Sequence, residues 1–75
     1  MYTVFTTTRY IDGHSTGFTV LYSTEDLASA RSYFNNLEIK LQELGQLGKS
    51  FFRRANGVPT LIQGGYETTL HMCKA

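Results

Sequence analysis

The stretch STEDLASARSYFNNLEIKLQELG, residues 23–45, decides the fold because it combines a helical pattern with a start and a stop. Its apolar residues recur at steps of three and four, at Leu27, Ala30, Phe34, Leu37, Leu41 and Leu44. Matches at this spacing define one apolar stripe on a helix. Largely off the stripe lie Arg31, Asn35, Glu38 and Gln42. The pattern predicts an amphipathic helix from about Thr24 to Leu44.

The residues at the two ends of this stretch predict how the helix begins and ends. Ser23 can accept a hydrogen bond from the backbone N–H of Asp26, whose carboxylate can reach back in a shortened capping box. Glu25 and Asp26 also suit the positive end of the helix dipole. Gly45 is a natural stop, because glycine adopts the left-handed conformation just past a last turn at low cost.

Upstream of the helix the sequence predicts a hairpin of two strands. Residues 2–10 are rich in Thr, Tyr, Val and Phe, which favour pleated, half-buried positions. Residues 12–17 contain two glycines and read as a loop. In residues 18–22 the alternation places Phe18, Val20 and Tyr22 on one face.

Downstream of the helix the sequence predicts three short strands, at residues 50–55, 58–63 and 66–73. Asn56 and Gly57 form the preferred dipeptide of a tight type I′ hairpin, and Gly64 with Gly65 makes another turn or bulge. Pro59 has no N–H to donate to a ladder, so its strand is either an edge strand or one that starts late. A free edge there would offer a site for pairing with another chain.

These elements predict one small α+β domain over residues 1–75, in the order β-β-α-β-β-β. The simplest arrangement is a single-layer antiparallel sheet with one long amphipathic helix packed on it. A chain this short buries only about 60% of the surface it exposes when unfolded. Cys73 is the single cysteine, so an intrachain disulfide cannot support the core. We therefore expect a partner subunit to supply support, in a homodimer.

Composition excludes several classes of function. Seven basic and six acidic residues give a net charge of +1, which does not by itself indicate a polyanionic partner. The first residues, MYTVFTTTRY, lack the basic and apolar regions of a signal peptide. No apolar run approaches the ~18 residues that span a membrane. We expect a cytoplasmic protein with no membrane partner.

The segment GQLGKSFFRR, residues 45–54, ends like a phosphate-binding loop at Gly48, Lys49 and Ser50. The first glycine of that motif would fall at position 43, which holds Glu43, whose carboxylate would repel a phosphate. A helix also precedes this segment, so it would present the negative end of its dipole to an anion. The sequence therefore predicts a loop between a helix and a strand, with no cofactor site.

The second half of that segment carries the main alternative hypothesis. If it forms a strand, Phe51 and Arg53 share one face, and Phe52 and Arg54 share the other. With Lys49, these residues could hold phosphates and stack bases, as in a small nucleic-acid-binding regulator. The same pattern is typical of an ordinary amphipathic strand whose arginine stems cover a sheet edge.

Metal-ligating and catalytic groups are too few to predict a site. His71 and Cys73 fall on one strand face, and His14 would be a third ligand, whereas a structural zinc site normally needs four. No carboxylate pair is spaced as a general acid and base. The Asp, His and Ser between residues 12 and 15 are too close in sequence to converge as a triad. We therefore predict no catalytic residue, metal site or cofactor, and a protein that is not an enzyme.

The leading hypothesis is a protein-interaction module that binds and modulates a larger protein. Tyr33 and Ile39 lie off the central helix stripe, which suggests an apolar surface wider than one sheet covers. Together with the residues of segment 49–54 they complete the candidate contact set: Lys49, Phe51, Phe52, Arg53, Arg54, Tyr33 and Ile39. In style the chain is similar to small accessory and inhibitor proteins of phages and mobile elements, which often dock on host machinery.

Overall fold

The computed structural model describes residues 1–12, 15–48, 50–55 and 57–74, and it confirms the predicted order of elements. These elements are β1 Tyr2–Tyr10, β2 Ser15–Thr24, α1 Leu27–Leu44, β3 Phe51–Ala55, β4 Val58–Gln63 and β5 Tyr66–Lys74. All strand pairs are antiparallel, and the sheet has the order β2-β1-β5-β4-β3. α1 packs across the sheet and contacts every strand. The α+β fold predicted from the sequence is therefore the one observed.

The core lies between α1 and one face of the sheet. Val4, Leu61 and Leu70 are buried there with Ala30 of the helix, and Pro59 is also fully buried. The pairing of β1, β5 and β4 puts the three strand residues on the same face. Such a core is small for a self-sufficient domain.

The start of α1 differs from the prediction because β2 continues past Ser23. Ser23 pairs with Thr3, and their hydroxyl oxygens lie 3.4 Å apart. Asp26 takes the capping role instead: its carboxylate accepts bonds from the Ala28 N–H at 3.2 Å and from the Ser29 hydroxyl at 2.6 Å. The prediction of Ser23 as the cap was wrong because the sheet uses that residue.

The Asp26 cap should make helix stability depend on pH. The Ser29 hydroxyl, followed by the Ala28 N–H, lowers the pKa of Asp26 below its usual value. A lowered folded-state pKa contributes stability above the unfolded pKa, about 4, and that contribution is lost as pH falls through the folded value. We expect Asp26→Ala to unfold at a lower temperature than wild type at pH 7, with a gap that shrinks toward pH 2.

Thermal unfolding followed by circular dichroism across this pH range would measure the gap. Asp26→Asn is the matched control, because it keeps an acceptor oxygen for the Ala28 N–H and removes the titrating group. The stability that the amide of Asp26→Asn contributes as a helix cap should not change with pH. A gap between wild type and Asp26→Ala that is the same at pH 7 and pH 2 would rule out the charged cap.

A bulge in β2 changes which face its side chains occupy. Val4 pairs with Tyr22, but the next residue, Phe5, pairs with Val20, so Leu21 is left over. An extra residue of this kind reverses the facing of the side chains that follow it. Tyr22 therefore faces α1 while Val20 faces away from it. The prediction that both share one face was wrong because simple alternation assumes an unbroken ladder.

Pro59 sits inside the sheet, because β4 lies between β5 and β3. Its ladder with β5 begins only at Thr60, and Pro59 pairs with Arg54 of β3 alone. The absent N–H therefore costs no bond to β5. β4 itself begins at Val58, and only its ladder with β5 starts late, whereas the alternative of an edge strand open to another chain was wrong.

The connections after β3 and β4 follow the predicted turn chemistry as far as they are described. Gly64 and Gly65 have φ of 57° and 84°, and two successive positive values are what a type I′ turn requires. Gly57 also has a positive φ, while Asn56 lies outside the described residues.

The end of α1 is set by close packing rather than by a left-handed glycine. Gly45 has φ −66° and ψ −11°, which is right-handed, and its N–H donates to the Leu41 carbonyl at 2.9 Å. A Cβ added at Gly45 would lie 2.6 Å from the backbone nitrogen of Phe52. The helix ends at the predicted residue, but the predicted conformation was wrong.

Candidate functional site

The sheet face opposite α1, here called the open face, is covered by no element of the described chain. The strand registers place on it Thr3, Phe5, Thr7, Arg9, Phe18, Val20, Phe51, Arg53, Ile62, Glu67, Thr69, His71 and Cys73. It extends from edge strand β2 to edge strand β3, with β5 in the middle. All five strands therefore contribute to one surface.

An apolar hollow lies on the β2 side of the open face. Its volume is about 390 Å³, and its lining comprises Thr3, Phe5, Thr7, Phe18, Val20 and Cys73. Phe18 is 69% exposed and Val20 is 53% exposed. The Phe5 and Phe18 rings meet edge to face with centroids 6.1 Å apart, which fixes one wall of the hollow. Exposed apolar surface of this kind marks binding sites.

His71 is held in place near the centre of the open face. Its Nε2 lies 3.0 Å from the Thr7 hydroxyl, and its ring stacks on Phe5 with centroids 5.0 Å apart. Cys73 is exposed farther along the same strand, while His14 lies outside the described residues. Within the described ranges, no three His, Cys, Asp or Glu residues gather as metal ligands.

Two arginines and one carboxylate charge the open face. The Arg9 guanidinium lies 3.3 Å from the Glu67 carboxylate, and that of Arg53 lies 4.0 Å from it. Both arginine side chains are more than half exposed, whereas the Glu67 side chain is largely covered. The face therefore has a slight positive charge that Glu67 partly offsets.

The structure divides the predicted segment 49–54 between the two faces of the sheet. Phe51 and Arg53 lie on the open face, whereas Phe52 and Arg54 lie on the helix side. Lys49 lies outside the described residues. The predicted separation of faces is therefore observed, and Arg53 is the one cation that the described part of this segment contributes to the open face.

Arg54 is engaged with the helix. Its Nη2 donates to both carboxylate oxygens of Glu38, and its Nη1 donates to the Gly57 carbonyl at 3.4 Å. Glu38 also accepts a bond from the Gln42 amide at 3.3 Å. Glu38 is buried although the helical pattern placed it largely off the apolar stripe. The ion pair explains its burial.

The two helix residues of the predicted contact set lie apart from the open face. Tyr33 is half-buried and stacks on Tyr22 with ring centroids 4.6 Å apart. Ile39 is exposed on α1. Phe18, Val20 and Arg9 are absent from the predicted contact set, although the lack of charge in residues 15–24 is a signal for the first two.

Comparisons with known proteins leave the function to be inferred from this geometry. Among the described residues, we find no helix that combines the length and the apolar character of a membrane span. No match was found to protein-family models, to curated proteins or to solved structures.

Proposed function

We propose that this protein is a non-enzymatic interaction module that binds a larger protein through the open face and modulates it. The observation that carries the proposal is the exposure of Phe18, Val20 and Phe51 on a sheet face without a helix. Apolar side chains with flanking arginines are typical of the centre of a protein interface. A face of this composition would be stabilised by burial against a partner.

The size of the open face supports a protein as its ligand. Five strands spaced about 4.8 Å apart, over some six residues each, give a patch of roughly 24 by 20 Å. Side-chain relief raises the accessible area of such a patch toward the ~800 Å² per partner of a standard interface. The hollow, by contrast, is shallow and open, so it would hold one side chain of a partner rather than enclose a small molecule.

The proposal has three further parts. The protein acts in the cytoplasm, it forms a homodimer, and it modulates its target in the manner of small accessory proteins of phages and mobile elements. The small core and the many exposed apolar residues support the homodimer, because a marginal domain is stabilised by a partner subunit.

Blocking the middle of the open face should abolish partner binding. Thr69 lies on β5, the central strand, so Thr69→Arg would place a bulky charge in the contact without touching either sheet edge. We expect wild-type protein to capture a specific larger protein from lysate, identified by mass spectrometry, and Thr69→Arg to capture less than a tenth as much.

The matched control places the same substitution on the solvent side of α1, as Ser32→Arg, because Ser32 is exposed there. It should bind as wild type does. Equal capture by Thr69→Arg and wild type would refute the open face as the binding surface, provided that circular dichroism shows both variants folded.

A nucleic-acid regulator remains the second candidate, because Phe51 and Arg53 share the open face. Single-stranded nucleic acid is bound by aromatic stacking beside cations that hold phosphates. Against this candidate, Glu67 lies between Arg9 and Arg53, and Arg54 is engaged by Glu38. An electrophoretic shift at low salt that Arg53→Glu abolishes would favour it; no shift with any DNA or RNA at tens of micromolar would exclude it.

A further inference from the structure

The two edge strands of the sheet differ in how they are protected. β3 has five residues and carries Arg53 and Arg54. Short length and charge are two of the features that keep an edge strand from pairing with another chain. β2 has ten residues, STGFTVLYST, with neither a charge nor a proline. An edge with these properties is suited to receive another strand.

Two register shifts in the ladder with β1 limit the part of β2 that can pair with an added strand. The ladder with β1 shifts register between Val4 and Phe5 and again between Thr8 and Arg9. The uninterrupted part of β2 between these shifts is residues 17–20. Bulges bend a strand and disrupt pairing, so an added strand has this short window in which to form a regular ladder.

We propose that residues 18–20 of β2, within this window, pair antiparallel with the same residues of a second copy, which joins the two sheets edge to edge. The inference rests on the homodimer of the proposed function and adds the place where the copies meet. The contact lies at the β2 edge of the sheet, where it covers Phe18 and Val20, and it leaves free the part of the open face on β1, β5, β4 and β3.

The absence of charge favours a second copy as the occupant. A symmetric antiparallel pair places a strand opposite itself, so any charged side chain near the dyad would oppose its own equivalent. β2 contains none. After pairing, the outer edges of the joined sheet are the two β3 strands, which are short and carry arginines. Assembly should therefore stop at a dimer.

The facing of the side chains selects one register. Directly opposed residues of antiparallel strands share a face, so Phe18 must lie opposite Phe18 or Val20 of the second copy. The register with Phe18 opposite Phe18 would pair Val20 with Thr16, which lies beyond a bulge. The second places Phe18 against Val20 twice and Thr19 against itself, so both exposed apolar side chains become covered. Pairing Val20 with itself would set Phe18 against Tyr22, which faces α1.

The expected affinity follows from the size of the contact. Burying most of Phe18, Val20 and the adjacent backbone in both copies removes roughly 800 Å² of surface, below the ~1,200 Å² at the low end of stable interfaces. The dimer should therefore be weak, with monomer at low micromolar concentration and dimer at high micromolar concentration.

Single-cysteine cross-linking tests the register directly. In a Cys73→Ser background, Thr19→Cys places thiols on the dyad, where opposed Cβ atoms are about 4.5–5.5 Å apart, close to disulfide geometry. We expect mild oxidation to give a covalent dimer. Arg53→Cys in the same background is the matched control on the other edge and should stay monomeric, as should the wild type with its single thiol at Cys73.

Light scattering tests the dimer without oxidation. We expect Val20→Lys to be monomeric at high micromolar concentration, because two lysines would lie near the dyad. Phe51→Lys is the matched control, because Phe51 is 49% exposed at the opposite edge, and it should dimerise as wild type does. If Val20→Lys does not fold, Phe18→Thr combined with Val20→Thr keeps strand propensity and removes the apolar contact.

A wild-type protein that stays monomeric at high micromolar concentration overturns the edge dimer, and so does a cysteine at Arg53 that cross-links as readily as one at Thr19. A dimer that survives Val20→Lys and is lost in Thr69→Arg also overturns it, because the copies would then meet through the open face. Partner capture is scored separately, so failure of the edge dimer and failure of the proposed function are distinguishable.

Discussion

Gly45→Ala is expected to lower the free energy of unfolding by about 3 kcal/mol, through overpacking at the end of α1. A Cβ at this position would lie 2.6 Å from both the backbone nitrogen and the Cβ of Phe52, so the start of β3 must move to admit it. The backbone at Gly45 is already right-handed helical, where alanine is intrinsically preferred. Any loss of stability therefore reports the clash.

Urea unfolding of wild type and variant would measure this difference. Gln46→Ala, which places an alanine one residue later at an exposed position, is the control and should change stability by less than about 0.5 kcal/mol. A stability equal to or above that of wild type in Gly45→Ala would show that α1 and β3 do not approach as closely as described.

The second large effect is expected at the ion pair that joins β3 to α1. Arg54→Ala leaves the buried Glu38 carboxylate with the Gln42 amide but without its cation. Removing one partner of a fully buried pair costs about 3–5 kcal/mol. Because the Arg54 side chain is half exposed, we expect a smaller loss of about 2 kcal/mol, measured by urea unfolding.

Two comparisons identify the cause of that loss. Glu38→Gln added to Arg54→Ala removes the unpaired charge, so the double variant should recover part of the stability. Arg53→Ala, the neighbouring arginine on the open face, should cost less than about 0.5 kcal/mol. Equal losses in Arg53→Ala and Arg54→Ala would contradict the different roles of these two residues.

The elements that were predicted well are those fixed by local pattern. β1 and β4 have the predicted bounds because their residues favour strands and turn signals follow them. The end of α1 follows from Gly45 and the last apolar residue of the stripe. The sheet and helix were therefore predictable from the sequence, since the helical and strand periods are distinct.

The errors share one physical origin, which is long-range pairing. Ser23 is not the helix cap because it is engaged with Thr3 across the sheet. Tyr22 faces α1 because of a bulge against β1. Glu38 is buried because Arg54, distant in sequence, meets it. None of these contacts can be predicted from the hydrophobic periodicity of the segment that contains either residue.

The candidate site was predictable only in part, for the same reason. Separating Phe51 and Arg53 from Phe52 and Arg54 needs only the period of a strand. The hollow beside Phe18 depends on the neighbour order of three strands, and that order is set by the pairing of β1 with β5. The sequence order of the strands did not reveal it.

The pairing of β1 with β5 also determines when the open face forms during folding. Tyr2 pairs with Lys74, so the central ladder closes almost the whole chain into a loop. The entropy of closing a long loop must be offset before such a ladder is stable, which slows folding in proteins dominated by distant contacts. His71 meets Phe5 and Thr7 only when that ladder is complete. The open face therefore forms only when β1 and β5 have paired, and neither half of the chain can form it alone.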